Sequence, residues 1–281
     1  MVSHGNQNQQ SKMTQGVLLF AVDTETRSYT KMAAYCAEQI KRYLNLPITL
    51  VTDTNVSHSV FDNVINIESV DAQRREISNT GVIEQWKNFG RYRAYELSPY
   101  DATLLLDTDY ICGSDQLLKL FDINQDFMCH KSRVYLGSQV MSNHVELFGN
   151  NIEMYWATVI KFTKSSESKC VFDMMKMIQE NYSHYSKLYK FNSSPYRNDY
   201  ALSIALNTVY GHYIPKEIEI PWKLMNVEFT TDIKYRDQTS WQLEFDKTND
   251  GQTKRFKITT HEQDLHMLNK DALFTIIENG K

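Results

Sequence analysis

The chain has 281 residues, 42% hydrophobic and 23% charged, enough to bury one large core or two small ones. Its net charge of −4 argues against a surface that broadly coats nucleic acid, while leaving room for a local basic patch. Cys36, Cys112, Cys129 and Cys170 stand far apart, with no CxxC and no Cys/His pair at zinc spacing, so they read as reduced packing residues of a cytoplasmic protein.

Residues 1–15, dominated by Gln, Asn, Ser and Gly, read as a disordered segment before a single domain over 16–281. Order is expected to begin with the strand Val17–Val22, which ends at Asp23. Met32, Cys36 and Ile40 recur at four-residue spacing and predict a helix, stopped by Pro47. Ile48–Thr52 and Val64–Ile67 predict two more strands. A second helix is expected from Val82 to Leu97, with Lys87, Arg91 and Tyr95 on one face. Ala102–Leu106 is an apolar strand that runs into Asp107-Thr108-Asp109, and Ser114-Asp115 opens a short helix to Phe121. Tyr155–Phe162 reads as a strand and Ser168–Tyr182 as a helix. Asn198-Asp199 caps a helix that stops at Gly211. Residues 213–260 read as several short strands, and a short helix closes the chain. The order predicts an α/β fold whose mixed, mostly parallel sheet is flanked by helices. No run reaches the length of a membrane span.

In such a sheet ligands bind beyond the carboxyl ends of the strands. Asp107 and Asp109 lie two residues apart at such an end, so their side chains can converge. Converging carboxylates repel unless a cation sits between them, and a hard divalent ion takes carboxylate oxygens together with phosphate. The pattern therefore suits a diphosphate held through Mn²⁺ or Mg²⁺. The bland alternative is a strand that ends in a polar turn.

The run Leu104–Ile111, LLLDTDYI, preceded by the expected helix that carries Lys87, Arg91 and Tyr95, resembles the DxD segment of GT-A (Rossmann-like) glycosyltransferases, nearest to the galactosyltransferase and glycogenin-like group. Tyr196–Leu202 is similar to the family's acidic segment at a helix mouth, and His266–Lys270 to its late His…Lys segment. Two departures stand out. Leu268-Asn269 replace the family's Gly between His and Lys, and Tyr155-Trp156-Ala157-Thr158 stand near the place of its Asn-Ala-Gly segment. The chain also resembles glycosyltransferases of large DNA phages, which adds a hydroxymethylated DNA base to glycan and protein as hydroxyl acceptors.

The resemblance implies a nucleoside diphosphate sugar as donor, a UDP-sugar first. It implies Asp107, Asp109 and His266 as metal ligands, Asp107 directly or through water or instead at the ribose of the nucleotide, with His261 competing for the third place, and Lys270 at the diphosphate. Asp23 is placed at base and ribose, and Arg91 and Lys87 at ribose or diphosphate. Asp199 would be a base towards the acceptor hydroxyl in an inverting reaction, or would stabilise the cationic sugar centre in a retaining one. Each has a plainer reading: turn acid for Asp23, solvated helix face for Lys87 and Arg91, helix cap for Asp199. Trp86, Trp156 and Trp222 could stack on a ring, packing being the ordinary role. Two rival functions stay open. A sugar-nucleotide nucleotidyltransferase needs a Gly-rich loop after the first strand, and Asp23–Ser28 has no glycine. The other rival is a catalytically silent nucleotide-sugar-binding module.

Overall fold

The computed structural model describes residues 13–68, 73–76, 83–87, 90–138, 141–142, 147, 152–191, 195–211, 213–235, 237 and 239–279. The predicted disordered segment lies outside these residues up to position 12. From Thr14 the chain is engaged, because its amide and hydroxyl both donate to Asp101 at 2.8 Å.

The first half is built of β1 (Gln15–Phe20), α1 (Tyr29–Tyr43), β2 (Ile48–Thr52), β3 (Asn63–Asn66), β4 (Gln73–Glu76), β5 (Ile83–Trp86), a 3-10 turn (Arg91–Arg93), α2 (Ala94–Leu97), β6 (Ala102–Leu106) and β7 (Tyr110–Ile111). A 3-10 helix (Gln116–Phe121) leads to β8 (Phe127–His130), β9 (Arg133–Tyr135), β10 (Met141–Ser142) and β11 (Trp156–Thr163). Then come α3 (Ser166–Glu180), α4 (Tyr182–Leu188), α5 (Asn198–Val209), a 3-10 turn (Lys216–Ile218), β12 (Leu224–Val227), β13 (Asp232–Tyr235), β14 (Ser240–Asn249), β15 (Gln252–His261), β16 (Leu265–Met267) and α6 (Lys270–Glu278).

Six strands form the central sheet in the order β3-β2-β1-β6-β11-β8. The first four run parallel, and β11 is antiparallel to both its neighbours. β1, β2 and β6 are buried along nearly their whole length, which is why they read as unbroken apolar runs rather than alternating ones. Helices flank the sheet: α1 packs on β2 and on α6, and α5 on β11 and α3. Ser28 caps α1, accepting from the Lys31 amide, and Met32, Ala33, Cys36 and Ile40 bury its inner stripe. A second sheet, β10-β9-β12-β16-β7, stands beyond the end of β6. It carries the later metal candidate back to the carboxylate pair, because His266 of β16 pairs with Tyr110 of β7.

Three expectations change. Val82–Leu97 is not one helix: β5 pairs with β4, and helical structure starts only at Arg91. Gly90 takes a left-handed φ of 89°, and β-branched and aromatic residues around Ile83 favour a strand. The four-residue spacing of Lys87, Arg91 and Tyr95 therefore does not define a face. Residues 213–260 hold not only short strands but a hairpin of two ten-residue strands, β14 and β15. Its two-residue loop, Asp250-Gly251, has positive φ at both positions, the geometry that matches strand twist. Asp199 is not the cap of α5, since Arg197 occupies that position and Asp199 lies in the first turn.

Candidate metal and nucleotide centre

β6 ends at Leu106, and the next three residues turn at the sheet edge. One ligand atom each from Asp107, Asp109 and His266 lies within 4.8 Å of the others. His266 Nε2 is 3.6 Å from Asp109 Oδ1, and Lys270 Nζ is 3.3 Å from Asp109 Oδ2. The Asp109 carbonyl accepts the Met267 amide at 2.9 Å, which fixes the β16 segment against the acidic turn. His261, the other candidate, is exposed at the end of β15 and is not in this cluster.

Each member of the cluster has a support. His266 Nδ1 is 2.9 Å from Asn226 Oδ1. An amide oxygen accepts, so Nδ1 donates and Nε2 is turned to the carboxylates, the orientation used by metal-ligating histidines. Asp107 Oδ1 accepts from Arg91 Nη1 at 2.5 Å, and Arg91 Nη2 donates to the Ala157 carbonyl at 2.6 Å. Arg91 is 1% exposed, so it is a buried brace and not a solvated face.

Asp199 holds the other backbone polar group of the same residue. Its Oδ1 accepts from the Ala157 amide at 2.9 Å and its Oδ2 from Arg197 at 2.9 Å. Arg91 and Asp199 thus grip one residue of β11 by its carbonyl and its amide and tie the acidic turn to the mouth of α5.

The two aspartates differ electrostatically. Burial lifts Asp107 above the usual carboxylate range; Arg91 opposes this and the charge of Asp109 adds to it. For Asp109 burial acts in the same upward sense, but Lys270 and His266 outweigh it and hold its carboxyl well below that range. Asp109 therefore stays anionic, while Asp107, whose side chain keeps 27% exposure, faces the open side of the pair.

Two further sequence candidates are engaged by their own neighbours, Asp23 past the end of β1, the strand beside β6. Asp23 accepts from the Thr30 amide at 2.8 Å, the Thr30 hydroxyl at 2.9 Å and Ser28 Oγ at 3.1 Å, so it secures the first turn of α1. Lys87 is 3.8 Å from Asp53, just past the end of β2, two strands from β6. Trp156 is buried and donates to the Lys131 carbonyl, Trp222 is half-buried, and the side chain of Trp86 lies outside the described residues. A hollow of about 640 Å³, lined among others by Tyr35, Glu38, Arg42 and His58, opens on the other side of α1 and includes none of the cluster.

Sequence reasoning passed over Asn226, Arg133 and Asp264. Asp264 accepts from the Gly113 amide at 2.8 Å, the Ser114 amide at 2.9 Å, Ser114 Oγ at 3.0 Å and Tyr110 Oη at 3.0 Å. It latches the approach to His266 onto the segment after β7. Only its place two residues before His266 hinted at this.

No protein-family model matches the chain, and no curated protein matches it. Among solved structures it is similar to the glycosyltransferase GlyE of Streptococcus pneumoniae TIGR4, at 15% identity and a TM-score of 0.38, over 68% of this chain and 43% of that one. It is similar to the galactosyltransferase LgtC, solved with donor and acceptor sugar analogues, at 14% identity and a TM-score of 0.43, over 66% and 69%. It is similar to mouse xyloside xylosyltransferase 1 at 10% identity and a TM-score of 0.41, over 72% and 84%. The chain spans less than half the length of the pneumococcal enzyme. None of these likenesses assigns a role to a residue here.

Proposed function

We propose that this chain is a GT-A glycosyltransferase, transferring a sugar from a nucleoside diphosphate sugar, a UDP-sugar first, to a hydroxyl of a glycan, a protein or a modified DNA base. The observation that carries the reading is the convergence of Asp107, Asp109 and His266 at the end of a central strand, between Arg91 and Lys270. Two carboxylates and two cations sum to zero charge. A divalent ion added to this set leaves two positive charges, which complement the two negative charges of a sugar-linked diphosphate. The donor set of two carboxylates and one oriented imidazole fits Mn²⁺ or Mg²⁺. Bound there, the ion would neutralise charge as the diphosphate leaves.

The rest is the work of the chain. Lys270, beside Asp109, is placed to receive phosphate oxygens as a point charge. Arg91 holds Asp107 in register, and Asn226 holds the His266 ring. Asp199, on the far side of Ala157, is the carboxylate proposed to face the transferred sugar. Asp23, past the end of β1 next to β6, is proposed at the base and ribose, and Lys87 at the ribose or diphosphate. No described helix is long and apolar enough to cross a membrane.

The test is a hydrolysis screen over nucleotide sugars, which such enzymes leak slowly to water. Sugar release is expected with Mn²⁺, abolished by EDTA and restored better by Mn²⁺ than by Ca²⁺. Full turnover in excess EDTA would end the metal reading. No release from any donor, with melting raised by UDP and Mn²⁺, would leave a silent binding module.

A further inference from the structure

Most cations around the carboxylate cluster already have an acid. Arg91 is paired with Asp107, Lys270 with Asp109, Arg197 with Asp199, and Lys131 with Glu153. Arg133, at the start of β9, is the exception. Among the described residues its guanidinium makes no hydrogen bond and no ion pair, and its Nε is buried without an acceptor. It is held instead by rings. Its Cζ lies 3.7 Å from the centre of the Trp156 ring and 4.7 Å from that of Tyr135.

This arrangement has a chemical consequence. Rings against its faces fix the plane of a guanidinium and leave its N–H edge pointing outward in that plane. Desolvation without a counter-ion makes the unsatisfied charge costly, and an oxyanion that accepts two N–H groups removes the cost. Burial lowers the basicity of Arg133, and both Asp199 and Arg197 lie close enough to act on its charge. Arg197 already holds Asp199, so Asp199 does not close an ion pair with Arg133. Trp156, which carries the clamp, precedes Ala157, the residue that Asp199 and Arg91 grip. The cationic edge therefore stands near the carboxylate assigned to the sugar.

We propose that Arg133, clamped by Trp156 and Tyr135, binds a negatively charged group, a carboxylate or a phosphate, on the acceptor. The substrate class is then an acidic glycan or a phosphorylated acceptor rather than a neutral one. The proposal rests on the glycosyltransferase reading for the word acceptor, but the anion site itself does not.

The experiment is calorimetric titration of the full chain with three probes: methyl glucuronide, glucose-6-phosphate and the uncharged methyl glucoside. The wild type is expected to bind at least one anionic probe about 10-fold or more tightly than the glucoside, in line with a charge-assisted bidentate contact. The glucuronide and phosphate arms separate the two sources of charge. Arg133→Met should erase the preference. Arg133→Lys, which keeps the charge and loses the fork, should keep part of it and serves if the Met variant does not fold. Equal affinity for charged and neutral probes, absence of binding by all three, or a preference that survives in a folded Arg133→Met would overturn the proposal, the last by placing the anion at the diphosphate site. Loss of donor hydrolysis in the wild type with an intact Arg133-dependent preference would instead remove the transferase reading and leave the anion site.

Discussion

Asp109 is the residue on which the candidate centre converges, touching Lys270 and His266 through its two carboxylate oxygens. Asp109→Asn keeps the shape and removes the charge, so turnover is expected to fall at least ~100-fold in a protein that still folds, with a lower melting temperature because Lys270 loses its partner. A folded variant that turns over at the wild-type rate would place the chemistry elsewhere. Asp199 poses a sharper choice. Asp199→Asn can still accept from the Ala157 amide but no longer balances Arg197. If Asp199 only ties β11 to α5, this variant should keep most activity, while Asp199→Ala, which strips the Ala157 amide of its acceptor, should lose about 1–3 kcal/mol of stability. If it faces the sugar, Asp199→Asn should lower turnover ~100-fold with donor affinity unchanged. The pair Asp107/Asp109 was legible because an apolar strand led straight into it, and His266 because it stood four residues before Lys270. Arg91 was legible as a residue but not as a brace: its spacing suggested a helix face, and only tertiary packing shows it buried against Ala157. Asp23 suggested a ligand-side acid because it follows a strand, while its short-range hydrogen bonds to Ser28 and Thr30, of the kind short acidic side chains commonly make, were not legible.

At the scale of elements, the centre depends on two strands from distant parts of the chain lying in fixed register. β7 follows the acidic turn directly, and β16 arrives more than 150 residues later, after a hairpin that sequence reading took for several short strands. The alternation of Trp241, Leu243 and Phe245 and the Asp250-Gly251 turn were visible signals of that hairpin, but nothing in the sequence gives the register of β16 on β7. The latch is Asp264 against Gly113 and Ser114. It requires close backbone approach: a Cβ on Gly113 would stand 2.3 Å from the Gln263 carbonyl oxygen. The obstacle is backbone, which cannot swing aside like a side-chain tip. Gly113→Ala is therefore expected to cost about 1–3 kcal/mol, read as a lower midpoint in urea. It should also weaken donor hydrolysis by shifting His266. Unchanged melting would show that the segment yields without effect and that Asp264 is no latch. Cys36 shows the same closeness from below, its thiol donating to the Tyr110 carbonyl at 3.0 Å under the turn. Cys112 and Cys129 are buried as expected of packing residues, whereas Cys170 is exposed on α3 and does not pack.

Across the whole molecule, the central sheet and the second sheet meet at His130, the last residue of β8. Its Nδ1 lies 3.1 Å from the Trp222 carbonyl, just before β12, and that carbonyl can only accept, so Nδ1 carries the hydrogen. Its Nε2 is buried without a partner, so a second proton there would have nothing to bond. Burial accordingly pushes the imidazole down to about 3, against the hydrogen bond to Trp222, which favours the charged form. The folded pKa lies below the unfolded value of about 6.5. Between those two limits the unfolded chain binds a proton that the folded chain refuses. The contribution of this neutral histidine to stability is thus complete above about pH 6.5 and is lost as pH falls towards 3, at up to about 1.4 kcal/mol per pH unit. Carboxylates such as Asp109, held low by Lys270 and His266, lose their contribution only in more acid solution, so the window from pH 6.5 to 5 is dominated by histidine. His130→Gln, which offers an amide donor to the Trp222 carbonyl and does not titrate, should flatten that window. By pH 5 the wild type is expected to have lost about 2 kcal/mol relative to pH 7 that the variant keeps. Urea unfolding at pH 7, 6 and 5 reads the difference directly. Parallel losses in the two proteins would mean that His130 takes up its proton without opening the junction between the sheets.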